Sequence, residues 1–412
     1  MSRPVLEVAD ILRGYGEAYR QKHAGCTSSQ QWRVLRALQL CRTSRLGGHV
    51  DQCDHCGHQV ISYNSCRNRH CPKCQTLAKA DWLRARRAEL LPCPYYHVVF
   101  TLPGTLAPLA LQNKQEVYNI LFAAASRTLL TIAADPKHLG ATPGFVAILH
   151  TWGQNLLHHP HLHCVVPAGG LAPDQQSWVT CRNNFFLPVR VLSRLYRRLF
   201  LDALHDAFAQ GRLRFQGALA PLASAQAFGR LMRDCRATDW VVYAKRPFGG
   251  PEKVLDYLAR YTHRIAISNH RLLGMADGKV SFSWRDYKRN AVLSTMTLDA
   301  VEFIRRFLMH VLPEGFVRIR SYGFLANRHR AQRLQLCRKL LGGQDTLPTS
   351  ADALPAQPPS PDKPSWATLL LSLTGRDPLA CPCCHIGRLL PTAALRPLAS
   401  IPTTAPRFID SS

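Results

Sequence analysis

The chain has 412 residues, with 52 Lys plus Arg against 26 Asp plus Glu, a formal net charge of +26 and an isoelectric point near 10.0. That length buries a full core, in about two domains plus a tail. The charge favours a polyanion, whose counterions are released on binding, over a membrane-surface or ribosomal role, and puts nucleic acid first among partners. No stretch reaches the ~18 uncharged apolar residues that span a bilayer; residues 118–134 come nearest, contain Arg127 and read as a buried helix. The N-terminus lacks the regions of a signal peptide, so the 15 cysteines point to reduced thiols, metal ligation and a cytoplasmic protein.

Residues 5–41 read as helical, with Trp32, Leu35, Leu38 and Leu40 clustered in a polar, basic stretch. From 47 to 75 Cys, His, Gly and Asn dominate and apolar periodicity is lost. A basic helix follows over 76–91, carrying Lys79, Arg84, Arg86 and Arg87, before Pro92 and Pro94 mark a boundary. Short β-like runs then alternate with helices. Strands are expected at 97–102, 144–150, 162–166 and 240–244, and helices over 112–134, 191–210, 223–235 and 298–312, with a turn at Gly169-Gly170. Residues 251–264 form a further helix, with Pro251 in its tolerant first turn. Strand candidates at 265–268 and 279–284 are split by the hairpin-like pair Asp277-Gly278.

This mixture predicts an α+β fold with an antiparallel sheet. It divides into 1–92, a helical, zinc- and DNA-binding domain; 95–343, a second domain; and 344–412, a Pro-rich linker and disordered tail with Pro355, Pro358, Pro359, Pro361 and Pro364.

Cys53-x2-Cys56 and Cys71-x2-Cys74, separated by 14 residues, have the spacing of a zinc ribbon, in which two knuckles bring four thiolates to one tetrahedral Zn²⁺. Cys66, His70, His49 and His55 lie in the same stretch, so a ligand swap or a second ion is open. Such zinc staples a domain too polar to fold alone, while Arg67 and Arg69 at its tip are candidates for phosphate contact. Cys381-Pro-Cys383-Cys384-His385 is half of a metal site or a set of free thiols.

His161 and His163 open an apolar, β-prone run, and alternation on a strand points both imidazoles to one side, where they can grip one divalent ion. Gln154, His150, His158 and His159 are candidates for a third ligand. Imidazoles with an oxygen donor and open positions suit Mg²⁺ or Mn²⁺. Tyr257 and Tyr261 share one face of the expected helix, either as an aromatic core stripe or as two phenols at one site. A phenol titrates near 10 and is a poor nucleophile at neutral pH; Lys253, Arg260, His263 and Arg264 supply cations that favour the phenolate. Residues 316–341 hold seven Lys or Arg and no acid, a phosphate-contacting face that includes Arg318, Arg320, Arg328 and Arg330. No GxxxxGK[ST] phosphate loop is present, so strand separation must come from elsewhere.

Together, the segments 53–74, 152–163, 257–264 and 315–329 resemble the two-tyrosine HUH transposases of rolling-circle insertion sequences, the family typified by insertion sequence 91. The resemblance covers most of the chain up to about 346. It implies an HUH catalytic domain over 95–343, with the His pair on the central strand facing the tyrosine helix, and a third ligand slightly upstream, for which Gln154 matches best. It further implies a metal-dependent single-strand DNA endonuclease and strand transferase, bacterial and DNA-associated, using Mg²⁺ or Mn²⁺ with structural Zn²⁺. By that likeness Tyr257 or Tyr261 attacks at the element's end to give a 5′-phosphotyrosine, and the partners are single-stranded DNA at element ends and target plus a host helicase or replication machinery. A plasmid or phage replication initiator with the same chemistry, a metal hydrolase on the His pair and a non-catalytic zinc-ribbon regulator are the rival readings.

Overall fold

The computed structural model describes residues 5–182, 186–245, 253, 255, 266–286, 289–342 and 365–398. The helical stretch expected at 5–41 is two helices, α1 (Val8–His23) and α2 (Ser29–Leu40). The break follows from Ser28, whose hydroxyl accepts from the Gln31 N–H while the Gln31 side chain accepts from the Ser28 N–H. This reciprocal cap starts a new helix. Strands β1 (Gly48–Cys53) and β2 (Gln59–Tyr63) pair antiparallel, and the basic helix α3 (Gln75–Ala88) follows.

After α3 come β3 (Tyr95–Thr101), α4 (Ala107–Gln112), α5 (Lys114–Ala134), β4 (Gly144–Trp152) and β5 (His158–Pro167). Then come β6 (Gly169–Leu171), β7 (Trp178–Thr180), α6 (Val189–Ala209), α7 (Ala225–Ala237) and β8 (Val242–Lys245). Gly169 and Gly170 thus begin a short strand instead of forming the expected turn; a Cβ on Gly170 would meet the Thr142 carbonyl at 2.6 Å, so glycine lets the two backbones approach.

Further along, β9 (Leu272–Ala276), β10 (Lys279–Asp286) and β11 (Val292–Asp299) form a three-stranded antiparallel sheet, followed by α8 (Ala300–Met309), β12 (Ile319–Gly323) and α9 (Arg330–Leu340). The strand expected at 265–268 is displaced to β9. Asp277 and Gly278 both have positive φ, 49° and 72°, which makes a two-residue hairpin and requires the strands to abut the turn directly. Within the stretch assigned to the tail, residues 365–398 carry α10 (Trp366–Thr374) and β13 (Leu389–Leu395), and β13 adds to β1.

The main sheet has the order β12-β4-β5-β3-β8, all antiparallel, with β5 at its centre. Its two faces are separated by strand alternation. Val98, Phe100, Phe145, Ala147, Leu149, Leu162, Cys164 and Val166 join the core formed with α5, α6 and α7. Helix α5 is long and apolar enough to cross a membrane, and 67% of its apolar window is buried in this core. On the opposite face Val146, Ile148 and Val165 pack under α9 through Leu334 and Cys337 at one end, and the other end carries histidines. A separate core joins α1, α2 and α8 to the β9–β11 sheet through Leu12, Leu35, Phe282, Phe303 and Phe307.

Candidate metal centre

On the histidine-bearing face, His161 and His163 of β5 lie two apart and so point the same way. Antiparallel register sets His150 of β4 directly opposite His161, and Ile148 opposite His163. The three imidazoles offer ligand atoms that all lie within 4.8 Å of one another. Ring centroids are 4.2 Å apart for His150–His163, 4.8 Å for His161–His163 and 5.3 Å for His150–His161.

Burial pushes His161 down to about 4 and His163 well below the usual imidazole range. Both are therefore neutral near pH 7, the state a metal ligand requires. The His161 Nδ1 donates to the His159 carbonyl at 2.7 Å, which leaves Nε2 with its lone pair. The His163 Nδ1 lies 2.7 Å from the His97 Nε2, and the two rings stack with planes 4° apart. His97, held down to about 4 by burial and then by the Lys245 charge, thus orients His163 from the neighbouring strand β3. Such outer partners of metal-binding imidazoles fix tautomer and orientation. His97→Ala is expected to weaken Mn²⁺ binding about 10–100-fold, measured by titration calorimetry; an unchanged affinity would remove this role.

Of the third-ligand candidates, the geometry brings His150 to the pair. Gln154 lies in the β4–β5 connection, where its backbone carbonyl accepts from Arg271 Nη2 at 2.7 Å. His158 is engaged elsewhere: its Nε2 is 2.7 Å from the Tyr118 hydroxyl and its Nδ1 is 3.1 Å from the Ala107 carbonyl. His159 is exposed. Tyr257, Tyr261, Arg260, His263 and Arg264 lie outside the described residues; Lys253 and Leu255 are helical, the first exposed and the second buried.

The cysteines sort differently from the expected ribbon. Cys41, Cys66, Cys71 and Cys74 form one cluster, with Sγ–Sγ distances of 3.5 Å for Cys41–Cys74, 3.6 Å for Cys66–Cys74 and 3.6 Å for Cys71–Cys41. Cys53 and Cys56 instead face Cys381 and Cys384. Hence Cys53, Cys56, Cys71 and Cys74 do not share one ion, because the knuckle at 53–56 sits on the β1–β2 hairpin while Cys71 packs against α2. Cys66 joins the first cluster, as one expected alternative had it, and His70 does not. Burial holds His70 down to about 3, its Nε2 accepts from the Leu312 N–H at 3.2 Å and its Nδ1 lies 2.9 Å from Asn68 Oδ1. Cys41, at the end of α2, escaped sequence reasoning because it stands alone, outside any CxxC pair.

Of the arginines expected on DNA, four turn inward. Arg69 donates to the Pro313 and Phe316 carbonyls at 2.7 Å each. Arg318 is buried and lowered to about 10 by that burial. Arg320 donates to Asn119 Oδ1 at 2.7 Å and lies 4.1 Å over the Phe122 ring. Arg330 pairs with Glu89 at 3.2 Å and donates to the Leu325 carbonyl at 3.0 Å. Arg67 and Arg328 are exposed.

The family described as "Transposase zinc-binding domain" matches residues 11–102, and the family described as "Putative transposase" matches residues 144–333. The first match contains the cluster of Cys41, Cys66, Cys71 and Cys74; the second begins at β4 and contains His150, His161, His163, Tyr257 and Tyr261. The chain is 56% identical over 390 residues to "Putative transposase y4qJ" of Sinorhizobium fredii (strain NBRC 101917 / NGR234), covering 95% of this chain and 96% of that one. It is 30% identical over 366 residues to "Transposase for insertion sequence element IS801" of Pseudomonas savastanoi pv. phaseolicola, covering 88% of this chain and 83% of that one. No solved structure matches. A zinc-binding domain joined to an α+β domain with a histidine cluster is thus the framework of a transposase, a protein that acts on DNA. The chain belongs to the insertion sequence 91 family.

Proposed function

We propose that this transposase nicks and rejoins single-stranded DNA at insertion-sequence ends through a 5′-phosphotyrosine, driving rolling-circle transposition. The observation that carries this is the convergence of His150, His161 and His163 within 4.8 Å on one sheet face. A divalent cation held by these imidazoles, Mg²⁺ or Mn²⁺, supplies Lewis-acid polarisation of the scissile phosphate when bound. The phenol oxygen of Tyr257 or Tyr261 attacks phosphorus, and the bond to the 3′ oxygen breaks. One proton leaves the phenol and one is taken up by the 3′ oxygen, so a 5′-phosphotyrosine and a free 3′-hydroxyl result. Lys253, Arg260, His263 and Arg264 favour the phenolate. The second tyrosine accepts a second strand, and attack by a 3′-hydroxyl rejoins DNA without ATP because the ester conserves the bond.

In this reading Cys41, Cys66, Cys71 and Cys74 hold a structural zinc ion, and the exposed Arg67 and Arg328 contact phosphate. A host helicase opens the duplex. The test incubates labelled single strands from the element's ends with the protein and Mn²⁺. A detergent-resistant adduct is expected, and it disappears in the Tyr257→Phe, Tyr261→Phe double variant. Cleavage that leaves only free 5′ ends, or an adduct that survives the double substitution, rejects the mechanism.

A further inference from the structure

The motif Cys381-Pro-Cys383-Cys384-His385 lies beyond both family matches, which end at residues 102 and 333. In the fold it meets the knuckle at Cys53 and Cys56, whose sequence partner was expected to be Cys71 and Cys74. The Cys53–Cys384 and Cys56–Cys381 sulfurs are each 3.7 Å apart, and all four lie within 4.8 Å of one another. Four thiolates at ~2.3 Å around a tetrahedral zinc ion stand about 3.8 Å apart.

The two knuckles are built alike. The Gly57 N–H donates to the Cys53 carbonyl at 3.1 Å and the His385 N–H to the Cys381 carbonyl at 3.1 Å, with both Gly57 and His385 at positive φ, 72° and 58°. Backbone N–H groups of His55 and Cys56 point at the Cys53 sulfur from 3.4 and 3.5 Å. Those of Cys383 and Gly387 reach the Cys381 and Cys384 sulfurs from 3.4 Å each. Such donors favour thiolates. Gly387 lies tight against Cys53, Asp54 and His55, where a Cβ would collide, and the Arg388 N–H donates to Asp54 Oδ1 at 2.7 Å. Cys383 and His385 are exposed, and Cys381 and Cys384 are the members of the motif that face the site.

Apolar burial alone does not explain why this segment returns to the N-terminal domain. Among the described residues its core contains Cys53, Cys381 and Leu389 as buried members, most of β13 is exposed, and α10 has no buried residue. So small a core needs a staple.

We propose that Cys53, Cys56, Cys381 and Cys384 bind a second zinc ion, distinct from that of Cys41, Cys66, Cys71 and Cys74, and that it clasps the C-terminal segment onto β1. Zn²⁺ displaces the protons of the thiols that ionise, with no redox change. The site closes the chain around the whole catalytic domain.

The test is the zinc content of the purified full chain by elemental mass spectrometry, which does not depend on nicking. Two ions per chain are expected. The Cys381→Ser, Cys384→Ser variant, the Cys53→Ser, Cys56→Ser variant and the combined quadruple variant should each retain one. Two ions in the Cys381→Ser, Cys384→Ser variant, or one in the parent chain, overturns the proposal. Should the serine variants not fold, Cys384→His keeps a donor and is expected to retain two ions with one sulfur replaced by nitrogen in the zinc X-ray absorption spectrum. An unchanged all-sulfur spectrum overturns it.

Discussion

His150→Ala is expected to slow single-strand nicking about 100-fold or more, while Gln154→Ala leaves the rate within a few-fold. A Lewis acid is worth several kcal/mol at a scissile phosphate, and each 1.36 kcal/mol is about tenfold in rate. His150 is 2% exposed and faces His161 across the β4–β5 ladder, so its loss leaves two imidazoles and a void at the centre of the cluster. Gln154 lies in the connection and is held through its backbone, which alanine preserves. The measurement is the initial rate of adduct formation across a Mn²⁺ titration. Because imidazoles suit transition ions better than they suit Mg²⁺, Mn²⁺ should support nicking at lower concentration than Mg²⁺. The reverse ranking of the two variants would return the third ligand to Gln154.

Cys71→Ser is expected to release one zinc ion and unfold the N-terminal helices, whereas Cys26→Ser is expected to be neutral. Structural zinc contributes about 10–16 kcal/mol in small domains, as much as the whole stability of a typical fold. Cys71 is 2% exposed and packs in one core with Cys41 and with Val34, Leu35 and Leu38 of α2. Hydrogen bonding with Cys41, to whose sulfur Cys71 donates, raises the Cys71 thiol, and the Cys41 contact lowers the Cys74 thiol, the behaviour of thiols too close to ionise together without a cation. Serine would leave three sulfurs and a buried hydroxyl. Cys26 is exposed and belongs to neither cluster. Thermal melting followed by circular dichroism, with zinc released to a colorimetric chelator, reads both effects. A Cys71→Ser chain that keeps its zinc and its melting temperature would show that the cluster is not a metal site.

What the sequence alone determined was local. The facing of His161 and His163 follows from the two-residue repeat of a strand, and each CxxC pair forms its own knuckle because the turn lies within it. The α+β class, most helices, the strands β3, β4 and β5, and the Asp277-Gly278 hairpin turn rest on the same short-range signals. Tertiary structure decided what meets what. His150 stood among the upstream candidates, but its place opposite His161 comes from cross-strand register, which spacing along the chain does not give. Cys53 and Cys56 turn to Cys381 and Cys384 because β13 pairs with β1 across more than 300 residues, and Cys41 completes the other cluster from the end of α2. Charge was legible in composition, but whether an arginine faces solvent was not. Arg69, Arg320 and Arg330 are drawn inward by carbonyls, an amide and a carboxylate that arrive from distant segments. Periodicity reports how a residue sits on its own element, whereas a ligand set is assembled by the packing of several, whose registers and crossings are settled only when their cores close.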